Sequence, residues 1–313
     1  MHEYRFYEGK VPSAYRYNFE QYLFNREEYR LLQSESGWVS FYVLNERDLL
    51  IEAHIHFYVR DGRAQSIIQS PFGGIEWSDR IDNKTLFGFI EFACEHLKEK
   101  DVKRIVVVNP PQAYETEKQA LIETFFSNTG FSLSTAEVGS VMPVTARPFS
   151  DILHPRKSKK LKQTITSNFE FRILDTSWVV DVYRFIESHR KEKDYVLSIT
   201  LDHLIASVKK LNQAYKLFGV FHEGKLVAAS VAVQVSSTIL YHFISDHIRK
   251  IVEARPALLL MNGIYDYCTE NGISLLDLGT SAKESLPNFK LIKFKSELGG
   301  QITHKFTFTK NLV

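Results

Sequence analysis

The sequence predicts an α+β protein with two related halves, each built on a mixed, mostly antiparallel sheet flanked by helices. Three observations predict this class. The chain has 313 residues, more than the roughly 100 to 200 residues of an ordinary single domain. Several segments alternate apolar and polar residues with a period of two, which is typical of half-buried strands. The same order of strands and helices then occurs twice, which indicates a structural repeat.

The first half reads as a three-stranded meander followed by alternating helices and strands. Residues 48–60 alternate apolar side chains with Glu52, His54 and His56, and a turn at Asp61-Gly62 leads into the next strand. The helices follow from apolar residues at spacings of three and four. The predicted elements are strands at 38–44, 48–60 and 64–70, a helix around 86–97, a strand at 103–109, a helix at about 115–128 and a strand at 131–144.

The second half repeats this order. Pro256 suits the first turn of a helix, and Asn271-Gly272 suits its end. The predicted elements are a strand at 169–174, helices at 179–192 and 201–211, a meander of strands at 215–222, 225–236 and 238–246, the helix from 256, a strand at 273–278 and a Lys/Phe helix that two glycines end at 299–300. Because ligands bind beyond the carboxyl ends of strands in open sheets, Asp277, Gly279 and Ser281 are candidate site residues.

The predicted domains are residues 1–146, a basic linker helix at 147–168, and residues 169–313. The linker contains a concentrated set of cations, Arg156, Lys157, Lys159, Lys160 and Lys162. Two interpretations stay open for it. It is either a solvated surface helix, which basic runs usually are, or a clamp for phosphates of a substrate or an RNA backbone.

Composition sets wide limits. The net charge of +2 neither predicts nor excludes a nucleic-acid partner, because a local basic stripe can lie within a balanced total. The two cysteines cannot form a disulfide framework, no apolar run reaches the roughly 18 residues of a membrane span, and the first residues carry no signal segment. We therefore expect a cytoplasmic protein without a membrane span.

Three motifs carry a resemblance to a known family. They are Arg255-Pro-Ala-Leu-Leu-Leu260 at the start of a helix, Leu276-Asp-Leu-Gly279 on a strand, and Phe294-Lys-Ser-Glu-Leu-Gly-Gly300 after it. Together with the repeated element order, they resemble the FemAB-like branch of the GNAT (acyl-CoA N-acyltransferase) superfamily, with two GNAT-like domains in tandem. Ser70-Pro-Phe-Gly-Gly74 looks like the family's Arg-Gly-Pro bend without its arginine. The resemblance implies transfer of an acyl or aminoacyl group to an amine of a cell-envelope precursor, an amino sugar or a peptide.

The resemblance also implies where a donor would bind. The donor's pantetheine would lie between the strands at 238–246 and 273–278. A backbone N–H of the first strand would donate a hydrogen bond to the oxyanion that develops during acyl transfer. The pyrophosphate would meet the amino end of the helix at Arg255-Pro256. The expected donor-binding residues are Arg249, Arg255, Ser245 and Ser281. Val252 stands where the family's acetyl-CoA loop has its first glycine, so acyl-CoA and aminoacyl-tRNA both stay open as donor.

Three residues are candidates for catalysis, and each has a simpler interpretation. Asp277 would hold the acceptor amine or act as a base, or it caps a loop. Lys295, in the Phe-Lys motif, would neutralise a phosphate or polarise the transferred carbonyl, or it is an exposed helix lysine. His242 would act as a base, although a satisfied core histidine is the commoner case. His54, His56 and Glu52 share a strand face that we expect to be solvated, and no metal site is predicted.

Two function classes follow. The first is an N-acyltransferase, with its site in the second half and with the first half shaping the acceptor side. The second is a tandem-GNAT binding protein that has lost donor binding and uses its basic linker for a partner or RNA. A small-molecule or envelope-precursor acceptor, and possibly aminoacyl-tRNA, are the expected partners.

Overall fold

The structure is a computed structural model that describes residues 4–165, 168–193, 195–248, 255–283 and 285–312. The chain forms two compact units. Unit 1 comprises Met1–Glu137 with His304–Val313, and unit 2 comprises Val138–Thr303. The end of the chain therefore returns to unit 1. The helix within the predicted 147–168 linker belongs to unit 2, and the division into three predicted segments stays a prediction.

Unit 1 contains a mixed sheet with the strand order β1-β3-β4-β5-β7-β16, and two short strands, β2 and β6, pair with β4. Its elements are β1 (Tyr4–Glu8), β2 (Arg16–Tyr17), α1 (Glu27–Gln33), β3 (Trp38–Asn45), β4 (Leu50–Arg60), β5 (Arg63–Gln65), β6 (Glu76–Trp77), α2 (Asn83–Glu99), β7 (Arg104–Val108), α3 (Thr116–Asn128), the first part of β8 (Ser132–Pro143) and most of β16 (Gln301–Asn311).

The core of unit 1 lies between the sheet and helices α2 and α3. Phe89 and Leu97 of α2 are fully buried against strand residues such as Ile55 and Val107. Burial of these apolar surfaces is the main force that holds the helices on the sheet. The hairpin between β4 and β5 turns at Asp61 and Gly62, both with positive φ, as the sequence predicts.

The prediction of a solvated face on β4 is wrong. Glu52, His54 and His56 are fully buried, because the segment that carries β2 and α1 covers this face of the sheet. Polar side chains of the segment contact two of them: Asn18 donates to Glu52 at 3.0 Å, and Gln21 lies 3.4 Å from Nδ1 of His54. This cover was not predictable from the sequence, because the segment lacks a regular apolar period.

The strands of unit 2 follow one another in the order β8-β13-β12-β11-β10-β9. Its elements are the end of β8, α4 (Phe149–Ile152), α5 (Pro155–Ile165), β9 (Phe169–Leu174), α6 (Val179–Lys191), α7 (Leu201–Lys210), β10 (Tyr215–His222), β11 (Lys225–Gln234), β12 (Ile239–His247), α8 (Pro256–Glu270), β13 (Leu275–Thr280), β14 (Ala282–Lys283), β15 (Leu286–Pro287) and α9 (Phe289–Glu297). Both units thus have the predicted mixed, mostly antiparallel sheet with flanking helices.

Helix α8 is central to the core of unit 2. It buries Leu260, Ile264 and Cys268 against the strands, and it also packs on α5. The basic helix α5 buries Leu161 and Thr164 in that contact, and the Thr164 hydroxyl accepts a hydrogen bond from the N–H of Arg255 at 3.1 Å. Helix α5 is therefore held next to the amino end of α8.

Candidate functional site

Strands β12 and β13 pair for only part of their length and then separate. Their parallel register runs from Ile239 opposite Leu275 to Tyr241 opposite Asp277. Beyond this point β12 continues to His247 without a partner position on β13, while β13 stays paired with β8 as far as Thr280 opposite Gly139. The opening lies at the carboxyl ends of both strands, where ligands bind in open sheets.

A β-bulge in β12 lies at the start of the opening. Ala232 of β11 faces His242 and Val231 faces Ile244, so Phe243 is an extra residue on β12. A bulge leaves its extra residue outside the ladder of hydrogen bonds. Backbone groups of β12 are thus available at the point where the two strands part.

A cavity of about 800 Å³ lies at the amino end of α8. Its walls come from the end of β12, the start of α8, one side of α5 and the exposed side of α9. The lining residues are His154, Arg156, Lys157, Lys160, His247, Ile248, Arg255, Pro256, Ala257, Leu258, Lys293, Phe294 and Glu297.

The cavity is strongly basic. Five of its lining side chains are cations, and its carboxylate, Glu297, already pairs with Lys157 at 3.3 Å. Helix α8 begins with Pro256 at its first turn and has no side-chain cap, so the positive end of the helix dipole faces the cavity. Basic side chains together with a helix amino end form an environment suited to phosphates.

Lys295 lies on α9 and is buried, with 7% of its surface exposed. Its Nζ donates hydrogen bonds to the carbonyl oxygens of Gly279 and Thr280, each at 2.8 Å. Burial lowers the pKa of Lys295 to about 8, and the nearby Asp277 carboxylate opposes this shift. The alternative of an exposed helix lysine is therefore excluded.

Asp277 lies on β13 and is also buried, with 3% exposed. Its Oδ1 accepts the N–H of Gly279 at 2.7 Å. Gly279 has φ +74°, and a Cβ there would lie 3.3 Å from the ring of Tyr241, so the bend requires glycine. Asp277 thus caps the bend at which β13 leaves β12, and any further role for it stays a prediction.

His242 and Ser281 carry buried polar atoms without partners. Neither Nε2 of His242 nor Oγ of Ser281 has a hydrogen-bonding partner within the described part of the chain. Burial, with smaller effects from Lys295 and Arg190, lowers the pKa of His242 to about 4, so its ring is neutral at pH 7. The simpler interpretation of a satisfied core histidine does not hold at Nε2. An unpaired buried acceptor or donor of this kind is costly and typical of ligand sites.

The other expected donor residues are distributed differently. Arg255 lines the cavity. Ser245 makes its contact through its backbone carbonyl, which accepts a hydrogen bond from Arg190 at 3.0 Å. Arg249 and Val252 lie outside the described residues. The sequence reasoning missed Asp246, which is buried and pairs with Lys193 and with Arg190. In the sequence, the signal for Asp246 is that it is the single carboxylate on its strand.

The corresponding place in unit 1 is filled by the chain itself. After β5, which runs parallel to β7, the segment around Ser70-Pro-Phe-Gly-Gly74 returns to the sheet, and the N–H of Gly73 donates to Val108 O at 2.9 Å. A Cβ on Gly73 would lie 2.6 Å from the carbonyl oxygen of Ser66, and Phe72 is fully buried. This packing leaves no room between the strands, so the open cleft belongs to unit 2.

The described part of the chain has neither a metal-ligand cluster nor a membrane-spanning helix. Within the described ranges, no group of three or more His, Cys, Asp or Glu side chains is arranged to hold a metal ion. No helix in the same part of the chain is long and apolar enough to cross a bilayer.

Comparison with solved structures supports the fold. FemX has a TM-score of 0.72 at 11% identity, covering 93% of this chain and 92% of its own. A C-terminal domain named as that of a lysylphosphatidylglycerol synthetase from Agrobacterium fabrum has a TM-score of 0.58 at 11% identity, covering 83% and 81%. L-PGS from Bacillus licheniformis has a TM-score of 0.53 at 12% identity, covering 84% and 82%.

No protein-family description and no curated protein sequence matches the chain. The structural likeness alone, at such low identity, concerns the fold. The likeness to FemX covers 93% of this chain and therefore includes both units. The chain has a FemAB-like fold of two GNAT-type units in tandem.

Proposed function

We propose that unit 2 transfers an acyl or aminoacyl group from a phosphate-bearing donor to an amine of a cell-envelope precursor, an amino sugar or a peptide. The observation that carries this proposal is the basic cavity at the amino end of α8, which lies at the end of a strand that has parted from its neighbour. The lysylphosphatidylglycerol synthetases of similar fold are named for an aminoacylated lipid, which supports the same class of reaction.

The cavity favours a donor with several phosphates. Lys157, Lys160 and Arg255 would contact them, and the amino end of α8 would add its N–H groups and dipole. Acyl-CoA and aminoacyl-tRNA both carry phosphates in the same molecule as a reactive acyl group. We therefore propose a phosphate-bearing acyl donor, and the experiment below distinguishes acyl-CoA from aminoacyl-tRNA.

The chemistry requires the amine nitrogen to bond to the acyl carbon while the carbon's bond to the donor oxygen or sulfur breaks. The amine loses a proton to a base, and the leaving group gains one. Backbone N–H groups at the bulge of β12 would stabilise the oxyanion. The Lys295 ammonium has three N–H bonds and donates two to backbone carbonyls, so the third would also reach this charge.

His242 is the candidate base of this proposal. Its neutral ring has an Nε2 that is free to accept a hydrogen bond, although a pKa near 4 makes it a weak base. Asp277 would serve by fixing the bend that places the carbonyls of Gly279 and Thr280 on Lys295.

Helix α5 offers a matched experiment. Lys157 and Lys160 line the cavity, whereas Lys159 and Lys162 border a separate surface groove. We expect Lys157→Ala/Lys160→Ala to weaken donor binding at least tenfold by removing two phosphate contacts, and Lys159→Ala/Lys162→Ala to leave it nearly unchanged. Isothermal titration with acyl-CoAs and with aminoacyl-tRNA measures this. Equal binding by both variants, or no binding of either donor by the wild type, contradicts the proposal.

A second candidate function is binding without turnover. Two observations favour this second function. Lys295 and Asp277 already make hydrogen bonds within the bend, and His242 is a weak base. A donor that binds in the cavity, without transfer to any amine in a panel of envelope precursors, would support this second function.

A further inference from the structure

Helix α9 has an unusual distribution of polarity. Its Lys295 is buried, while Phe289 at its first position is 78% exposed and Leu286, three residues earlier, is 71% exposed. Single exposed apolar residues are common, but two large ones that are close in sequence and mostly exposed are informative. Folding of unit 2 does not account for them, because neither belongs to its core.

Cations accompany these apolar side chains. Lys290 follows Phe289 directly and is exposed, and Leu286, Phe289 and Lys290 together form what we call the α9 patch. On the helix, Phe289 and Lys293 are four residues apart, as are Lys290 and Phe294, so each pair lies on one exposed stripe. The patch therefore continues along α9 toward the basic cavity, which Lys293 and Phe294 line.

The three patch residues include one cation and no carboxylate. Glu297, the acidic residue of α9, lies at the far end of the helix and pairs with Lys157. The surface that Leu286, Phe289 and Lys290 expose is therefore apolar and positively charged. The binding partner that matches the patch is a surface with negative charges on the outside and an apolar layer just below them.

We propose that the α9 patch docks unit 2 on the surface of an anionic lipid bilayer. Leu286 and Phe289 would enter the interfacial region, and Lys290 would lie at the headgroups, with its aliphatic stem beside the apolar side chains. An RNA strand is the main alternative, because aromatic and basic residues also stack and neutralise nucleotides. The aliphatic Leu286 favours the bilayer, since it has no ring on which a base could stack.

The docking does not depend on the proposed acyl transfer, because none of the three patch residues lines the donor cavity. The consequence for the molecule is orientation. A bilayer in contact with the patch would bring the mouth of the basic cavity near the membrane surface, since Lys293 and Phe294 connect the two.

Co-sedimentation of the full chain with vesicles tests the proposal. We expect binding to vesicles of phosphatidylglycerol and phosphatidylcholine, and much weaker binding to phosphatidylcholine alone. Leu286→Ser/Phe289→Ser should reduce the bound fraction at least about tenfold through loss of apolar insertion. Lys290→Glu should reduce it about fivefold or more, mainly on the anionic vesicles.

Ile173→Ser is the matched control. Ile173 is 57% exposed on β9, which lies at the opposite edge of the unit 2 sheet from β13. It should leave vesicle binding unchanged. The proposal is overturned if the wild type does not bind anionic vesicles, or if the patch variants bind them as the wild type does. A single-stranded RNA whose binding is lost in Phe289→Ser, with no vesicle binding, would identify RNA as the occupant instead.

Discussion

The Lys295 ammonium holds the carbonyl oxygen of Gly279 at 2.8 Å, at the point where β13 bends away from β12. Gly279 in turn donates its N–H to Asp277. One buried cation and one buried carboxylate thus fix a glycine bend from both sides. The geometry of the opening between the strands depends on this bend.

Replacement of Lys295 by Met keeps the side-chain volume and removes the ammonium. Two partly buried carbonyls then lose their donor, and we expect the free energy of unfolding to fall by about 1–3 kcal/mol. Thermal and denaturant unfolding measure the change. Lys290→Met, at an exposed position of the same helix, is the control and should change stability by less than about 0.5 kcal/mol. Equal stabilities of the two variants would show that the two hydrogen bonds contribute nothing.

Gly263 allows a test of the core of unit 2. It lies within α8, and a Cβ there would lie 2.3 Å from the ring of Phe171. Gly263→Ala should therefore lower the melting temperature, with a cost of about 1–3 kcal/mol from overpacking that exceeds the gain in helix propensity.

Gly88→Ala is the paired measurement. Gly88 lies within α2 of unit 1, and its added Cβ would meet Phe6 at 3.5 Å, an ordinary contact. This variant should be neutral or more stable by up to about 1 kcal/mol. A melting temperature that rises in Gly263→Ala would mean that Phe171 moves freely aside.

Stability should fall as pH falls below about 6.5. Burial lowers the pKa of His242 to about 4 and the pKa of His56 well below 6.5, so both rings stay neutral in the folded protein while they gain protons in the unfolded chain. The unfolded state then binds more protons, and each residue contributes a slope of up to about 1.4 kcal/mol per pH unit between its two pKa values.

Ring-nitrogen NMR shifts measure the protonation of His242 directly. At pH 5 its ring should remain neutral. The variant His242→Gln should show a shallower dependence of stability on pH. A His242 ring that is already protonated at pH 6 would contradict the prediction.

Glu76 of unit 1 accepts hydrogen bonds from three groups. They are Nε2 of His54 at 3.1 Å, Nδ2 of Asn25 at 2.6 Å and the N–H of Tyr22 at 3.2 Å. Glu76→Leu should cost several kcal/mol, about 3–5, because buried polar partners are left without an acceptor. Glu46→Gln, at a surface ion pair with Arg5, should cost less than about 1 kcal/mol. Similar losses in both would exclude a special role for the buried network.

The sequence predicted most elements of both units because their periodicity is local. Strand β9 and helix α3 follow from residue spacing alone, and α8 follows from Pro256 and Gly272. Strand β16 was missed although Phe306-Thr-Phe-Thr309 alternates with a period of two, because the preceding glycines read as the end of the last element. Strand β5 is shorter than predicted because the chain after Gln65 turns into the bend that fills unit 1.

The candidate site was predictable by position and not by environment. The strand-end rule selected Asp277 and Ser281, and the family motif selected Lys295, yet only tertiary packing shows that Lys295 is buried and that Ser281 lacks a partner. Likewise, the alternation on β4 could not reveal that His54 and His56 are covered. Those facts depend on segments far apart in the chain.

The segment that packs Gly73 against Ser66 has a consequence for stoichiometry. A chain with two like units could in principle carry two equivalents of a ligand that enters between parallel strands, but in unit 1 the backbone around Ser66 and Gly73 occupies that place. If such a ligand binds, we expect its titration to saturate at one molecule per chain, although the fold contains two like units.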